Sequence, residues 1–257
     1  MGTDLTLDAG TLYAFLLTLA RVSGTFIFVP LPGIKAGPEA ARAVLAISLT
    51  LALAPRWPAI DASGVNILLL TGWILAEAAM GIAVGLVVSF LTEGFQMGAQ
   101  IISLQAGYTF ATTIDPTSGA DSAVLLTIAQ LVSGFLFFAT GLDRQILLAV
   151  AQSLSSQVPG HIAISQSMVT RLTQMGASIF TTGLRLVLPL LSLLLMVEIA
   201  MALLARLNSQ LHLMMLARPI KMLLALALFA WLLIIFPKVF TQSTGPAIQL
   251  VRALLAT

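Results

Sequence analysis

Long apolar runs alternate with short breaks of proline, glycine and charge along this chain. Stretches near Leu12–Val29, Ala40–Ala54, Ile67–Leu91, Val124–Thr140, Ile179–Leu204 and Met222–Phe236 predict six helical segments. A full bilayer crossing takes about 20 apolar residues. The second, fourth and sixth runs fall short of that, which predicts hairpins or partial crossings. The third run continues past Leu91 as Glu93-Gly-Phe-Gln-Met-Gly-Ala-Gln-Ile-Ile, the pattern of one long helix leaving the apolar zone. Proline and glycine mark the expected breaks at Pro30-Leu-Pro32-Gly33, Pro55-Arg-Trp-Pro58, Asp115-Pro116, Pro159-Gly160, Pro219 and Pro237. Residues 238–257 are mildly amphipathic, with Val239, Phe240, Ile248, Val251 and Leu255 among polar neighbours, a pattern suited to an interface or a partner helix.

Composition turns this pattern into a fold class. The chain is 59% hydrophobic and 9% charged, against about 25% charged in soluble domains, and its mean hydropathy is +1.04. The expectation is an all-α polytopic membrane protein forming one domain over residues 1–257. Disulfides and thiolate chemistry are excluded, because there is no cysteine. The first eight residues, with Asp4 and Asp8 and no basic residue before Arg21, read as an uncleaved N-terminus on the outer face. A net charge of +2 without clustered Lys or Arg argues against nucleic-acid binding.

The most unusual stretch is Ser103-Leu-Gln-Ala-Gly-Tyr-Thr-Phe-Ala-Thr-Thr-Ile-Asp-Pro-Thr-Ser-Gly119. Asp115-Pro116 breaks a helix there, since proline pushes the preceding residue out of the α region. Tyr108, Phe110, Ala111 and Ile114 make the stretch too apolar for a solvated linker, and no Lys or Arg occurs between Glu93 and Asp143. Irregular backbone at membrane depth is tolerated only where protein or a water-filled cavity covers it, so the stretch reads as a pore element or a buried joint. Orientation agrees with this irregularity. With an outer N-terminus, Lys35, Arg42, Arg206, Arg218 and Lys221 fall inside, but Arg144 and Arg171 fall outside and the third connection carries only acidic charge. A simple bundle of six crossings does not fit.

Arg21, Glu77, Arg185 and Glu198 sit within apolar segments, where each charge costs roughly 2.5–3.5 kcal/mol on insertion scales. Glu77, Gly81 and Gly85 share one helical stripe, which predicts a closely packed partner helix facing Glu77. At 100° per residue, Gly94, Gln105 and Gly98 lie about 220–260° around from Gly81, so the long helix carries a second stripe and close neighbours on two sides. Arg185 and Glu198 lie about 220° apart on a straight helix and are expected to pair with other segments or subunits. A proton or ion relay is the competing role for these charges.

Nothing in the chain argues for catalysis or a cofactor. His161 and His212 are the only histidines, and there is no metal-ligand spacing, phosphate loop, dinucleotide fingerprint or nucleophile elbow. Asp115, Asp121 and Asp143 form no acid/base pair.

An ordered set of motifs is similar to the flagellar biosynthetic protein FliR family and its injectisome counterparts in type III secretion. It runs from Gln105-x-Gly107-x-x-x-Ala111-x-x-x-Asp115-Pro116 through Phe138-x-x-Gly141, Ser153, Val158-Pro159 and Leu188-Pro189-Leu190. It ends with Leu204-x-Arg206-x-x-x-Gln210-Leu211 and Pro219. The chain departs from the family pattern at Leu142-Asp143-Arg144, at Glu198 where Asn is common, and at Ser209 before Gln210. The resemblance implies a multi-pass, non-enzymatic subunit of an export gate in the bacterial inner membrane, within the flagellar basal body. It further implies assembly with FliP-like, FliQ-like and FlhB-like subunits around a path for unfolded export substrates. In that family a central segment contributes to the plug of the resting pore, here residues 105–122, including Gln105, Gly107, Phe110, Ala111, Asp115 and Pro116. A virulence injectisome subunit is the alternative system. A secondary transporter with Glu77, Arg185 and Glu198 at a midplane site is the alternative class, but no internal repeat of the kind it predicts is visible.

Overall fold

The computed structural model describes residues 8–29, 39–108, 124–156, 166–207 and 213–255. Over these residues the chain is helical: α1 (Ala9–Phe28), α2 (Glu39–Ala52), a single 3₁₀ turn at Ala54–Arg56, α3 (Ile67–Ala106), α4 (Val124–Ala139), α5 (Leu142–Ser156), α6 (Gln166–Leu207) and α7 (Leu213–Leu255). Four helices, α1, α3, α6 and α7, are long and apolar enough to cross a membrane, and α4 with α5 adds one broken crossing if the two count as a pair. The chain is an all-α polytopic membrane protein.

The third apolar run is one helix of 40 residues extending to Ala106. Two expected breaks are overturned, because Pro219 and Pro237 lie inside α7, which runs unbroken for 43 residues. A helical proline loses one hydrogen bond and strains the preceding turn. Unwinding would strand several backbone groups, which is worse in apolar surroundings. The sixth run is therefore long enough to cross, and residues 238–255 continue it rather than forming a separate segment. Phe240, Ala247, Val251 and Leu254 are buried there.

The six expected helices missed α5, where Leu142-Asp-Arg-Gln-Ile-Leu-Leu-Ala-Val-Ala-Gln-Ser-Leu-Ser-Ser is too polar to read as an apolar run. Its buried residues, Leu142, Ile146, Ala149, Val150, Ser153 and Leu154, recur at helical spacing instead. Between α4 and α5, Gly141 adopts φ +67° and its N–H reaches the Phe138 carbonyl at 3.0 Å. This left-handed position ends α4 and lets the chain turn at Thr140-Gly141.

The contacts divide the chain into two compact units. The first comprises residues 1–90, 137–175 and 244–257 and takes in α1, α2, most of α3, α5 and the end of α7. Its core includes Leu17, Val22, Met80, Val84, Val87, Ile146 and Leu154. Phe15 stacks edge-on against Trp57, whose indole N–H donates to the Thr50 carbonyl at 3.0 Å, closing the turn after α2. The second comprises residues 91–136 and 176–243. Its core is built from Phe95, Ile102, Leu125, Val187, Leu190, Leu194 and Leu232, with Phe95 stacked against Phe229 and Phe236.

Candidate functional site

Two polar clusters stand out in this apolar chain, a buried one in the first unit and a part-exposed one in the second. In the first unit, α1 and α3 approach so closely that a Cβ on Gly81 would strike the Arg21 carbonyl, and one on Gly85 would stand 2.6 Å from the Thr25 carbonyl. Gly24 mirrors this from α1, with 2.6 Å to the Ala78 carbonyl. Glycine at these positions lets the helices meet backbone to backbone.

That contact seats a buried ion pair. Arg21 Nε donates to Glu77 Oε2, and both side chains are 1% exposed. Arg21 Nη1 donates to Ser153 Oγ of α5 at 2.7 Å, and Ser153 Oγ in turn donates to the Val150 carbonyl. Glu77 thus faces α1, and Arg21 is its partner within the chain. Glu77 Oε1 and Thr18 Oγ1 are buried without a hydrogen bond among the described residues.

In the second unit the later glycines of α3 meet a different helix. A Cβ on Gly98 would stand 2.6 Å from Val187, and one on Gly183 would stand 2.5 Å from the Gly94 carbonyl, so Gly94 and Gly98 lie against α6. Along the same helix face, Gln105 Nε2 donates to Glu198 Oε2 of α6 at 3.1 Å. Lys221 Nζ of α7 donates to the same oxygen at 2.8 Å. Glu198 is 53% exposed and Lys221 16%. Arg185, the other charge expected in this helix, is exposed and forms no ion pair among the described residues.

The end of α3 has a defined geometry. Gly107 takes φ +87°, its N–H reaches the Leu104 carbonyl, and the Tyr108 N–H reaches the Ser103 carbonyl, each at 3.1 Å. This is a Schellman ending, which leaves Tyr108 just past the helix. Its hydroxyl donates to the Met222 carbonyl of α7 at 2.8 Å, and burial pushes the phenol pKa up from its ordinary value. Of the residues read as a pore plug, Gln105 and Gly107 stand at this ending. Phe110, Ala111, Asp115 and Pro116 lie outside the described residues, as do His161 and His212.

Sequence reading missed several members of these clusters, Gly24 of α1 among them. Lys221 counted only as an orientation charge, although a cation at the start of the final apolar run is a signal for an acidic partner nearby. Tyr108 and Gly183 gave weaker signals, an aromatic after a glycine and a small residue in α6. Among the described residues no group of His, Asp or Glu is placed to hold a metal ion.

The family described as "Bacterial export proteins, family 1" matches residues 12–246 of this chain. The flagellar biosynthetic protein FliR of Escherichia coli K12 is 29% identical over 216 residues, covering 84% of this chain and 82% of that protein. The protein of the same name from Caulobacter vibrioides is 25% identical over 228 residues, 85% of this chain and 87% of its own length. That from Bacillus subtilis is 23% identical over 254 residues, 95% of each.

Proposed function

The chain belongs to the bacterial export proteins, family 1, and from that premise we propose that it is a structural, pore-forming subunit of a flagellar type III export gate. It sits in the inner membrane, assembles with FliP-like, FliQ-like and FlhB-like subunits, and lets unfolded flagellar proteins pass. The observation that carries this reading is the family match across residues 12–246 together with the shared flagellar name of the relatives. That shared name favours the flagellar system over an injectisome.

Within the gate, the segment from Gln105 to Ser122 acts as the seal of the resting pore. Small and apolar side chains exclude water and ions without gripping cargo, and the absence of Lys and Arg avoids an electrostatic trap for acidic segments. Beyond the helix ending at Gly107, Gly119 supplies backbone freedom and Asp115-Pro116 disfavours continuous helix, so the segment can yield to a passing chain.

Deleting residues within Gly107–Thr117 should raise ion conductance of membranes carrying the assembled gate while the subunits still co-purify. Unchanged leakage in a complex of normal composition removes the sealing role. Coexpression tests the assembly role. The chain should elute with its small membrane partners, and a stable, monodisperse chain purified alone would count against a gate subunit.

A further inference from the structure

We infer that Glu198 is a positioning residue, which through Gln105 fixes the direction in which the chain leaves α3. The sealing role given to the segment that follows rests on the reading above, but the clamp itself stands on contacts among described residues.

Three helices converge on one carboxylate oxygen. Glu198 Oε2 accepts from Gln105 Nε2 in the last turn of α3 and from Lys221 Nζ of α7. One residue along α7 from Lys221, the Met222 carbonyl accepts from Tyr108 Oη. The two residues that bracket Gly107, two positions before it and one position after it, are therefore both tied to the α6–α7 pair. Between them lies the left-handed glycine on which the exit direction turns. A helix end with a Schellman ending alone can swing with its last turn. One tied on both sides of that ending cannot.

The charges fit this task better than a plain staple between α6 and α7. Lys221 is largely covered and entering an apolar run, so it needs a carboxylate close by. Glu198 satisfies it with one oxygen and offers the same oxygen to Gln105. A neutral side chain at position 198 would hold Gln105 by a weaker bond, because hydrogen bonds to an ionised acceptor are about twice as strong as neutral ones. The lone amide contact is thereby raised to one that can fix the last turn of α3.

The test is hydrogen exchange at the Gly107 and Tyr108 amides in the assembled, membrane-embedded gate. Gln105→Ala and Glu198→Ala should each reduce protection there about three- to tenfold, the weight of one part-exposed charged hydrogen bond. The double variant should lose no more than either single change, and Glu198→Gln, which keeps an acceptor but not the charge, should fall between the unchanged protein and Glu198→Ala. A silent Gln105→Ala, with Glu198→Ala loosening only the α6–α7 pair, overturns the clamp and leaves a staple. If Glu198→Ala fails to accumulate, Gln105→Ala alone decides, since it removes no charge.

Conductance separates this from the sealing role. If protection falls in the clamp variants while they and the Gly107–Thr117 deletion leave the resting leak unchanged, the seal is wrong and the clamp stands. If the deletion leaks but Gln105→Ala changes neither protection nor leak, the seal stands and the clamp is wrong.

Discussion

At the scale of single residues, the unusual cost in this protein is the Arg21–Glu77 pair. Two charges removed from water lose hydration that their mutual attraction repays only when their hydrogen bonds are also filled. Here Arg21 gains Ser153 as a second acceptor, but one oxygen of Glu77 has no described partner. The pair is then valuable chiefly because breaking it is worse. Arg21→Ala should leave a buried carboxylate and lower stability by about 3–5 kcal/mol, seen as a large fall in the midpoint of thermal unfolding in detergent. The double change Arg21→Met with Glu77→Leu keeps volume and removes both charges, so it should recover most of that loss. A double variant as unstable as the sum of the two single ones would mean that the two charges are not coupled, and the penalty for breaking the pair would be refuted.

At the scale of elements, small residues decide which helices meet. Gly81 and Gly72 lie nine positions apart on α3, but a Cβ at Gly81 strikes the α1 backbone and one at Gly72 meets nothing within 4 Å. Gly81→Ala should force α1 away and lower the fraction of protein surviving heating. Gly72→Ala should be neutral or stabilise the helix by about 0.5–1 kcal/mol. Equal effects at the two sites would refute the close-packed seam. The spacing of Glu77, Gly81 and Gly85 was readable without coordinates because helical periodicity maps directly onto one face. The same arithmetic put Gly94, Gly98 and Gln105 on another face, where the structure places α6. Other features were hidden for physical reasons. The α5 helix buries a narrow stripe under a polar exterior, so its mean hydropathy conceals it. The prolines of α7 looked like stops because propensity measured in water overstates their power to end a helix surrounded by apolar groups. Lys221 and Glu198 lie 23 residues apart on different helices, and their meeting depends on how α6 and α7 pack, which no local pattern encodes.

At the scale of the whole molecule, helix length sets the problem. A helix of about 40 residues is about 60 Å long, twice the hydrocarbon thickness of a bilayer, and α3, α6 and α7 contain 40, 42 and 43 residues. In α6 the division is visible in the residues. Leu186 to Ala205 carry a single charge, Glu198, and are flanked by Arg185 and Arg206, while the preceding part holds Arg171, Thr173, Gln174, Ser178 and Thr181. Twenty residues match one crossing, and the flanking arginines suit the polar boundary on either side. The apolar part packs through Val187, Leu190 and Leu194 and leaves Leu193, Ile199 and Leu203 about half exposed, so lipid or neighbouring subunits must cover them. The preceding part exposes Arg171, Thr173 and Gln174 together with Val169 and Phe180. Because the chain has no cysteine, single cysteines can map this boundary. A membrane-impermeant maleimide should label substitutions of Thr170 and Gln174, from whichever side of the membrane they face, and leave Leu193, Ile199 and Leu203 unlabelled in native membranes. Labelling at those three leucine and isoleucine positions would mean that water reaches the apolar half of α6. The crossing would then have to lie elsewhere on the helix.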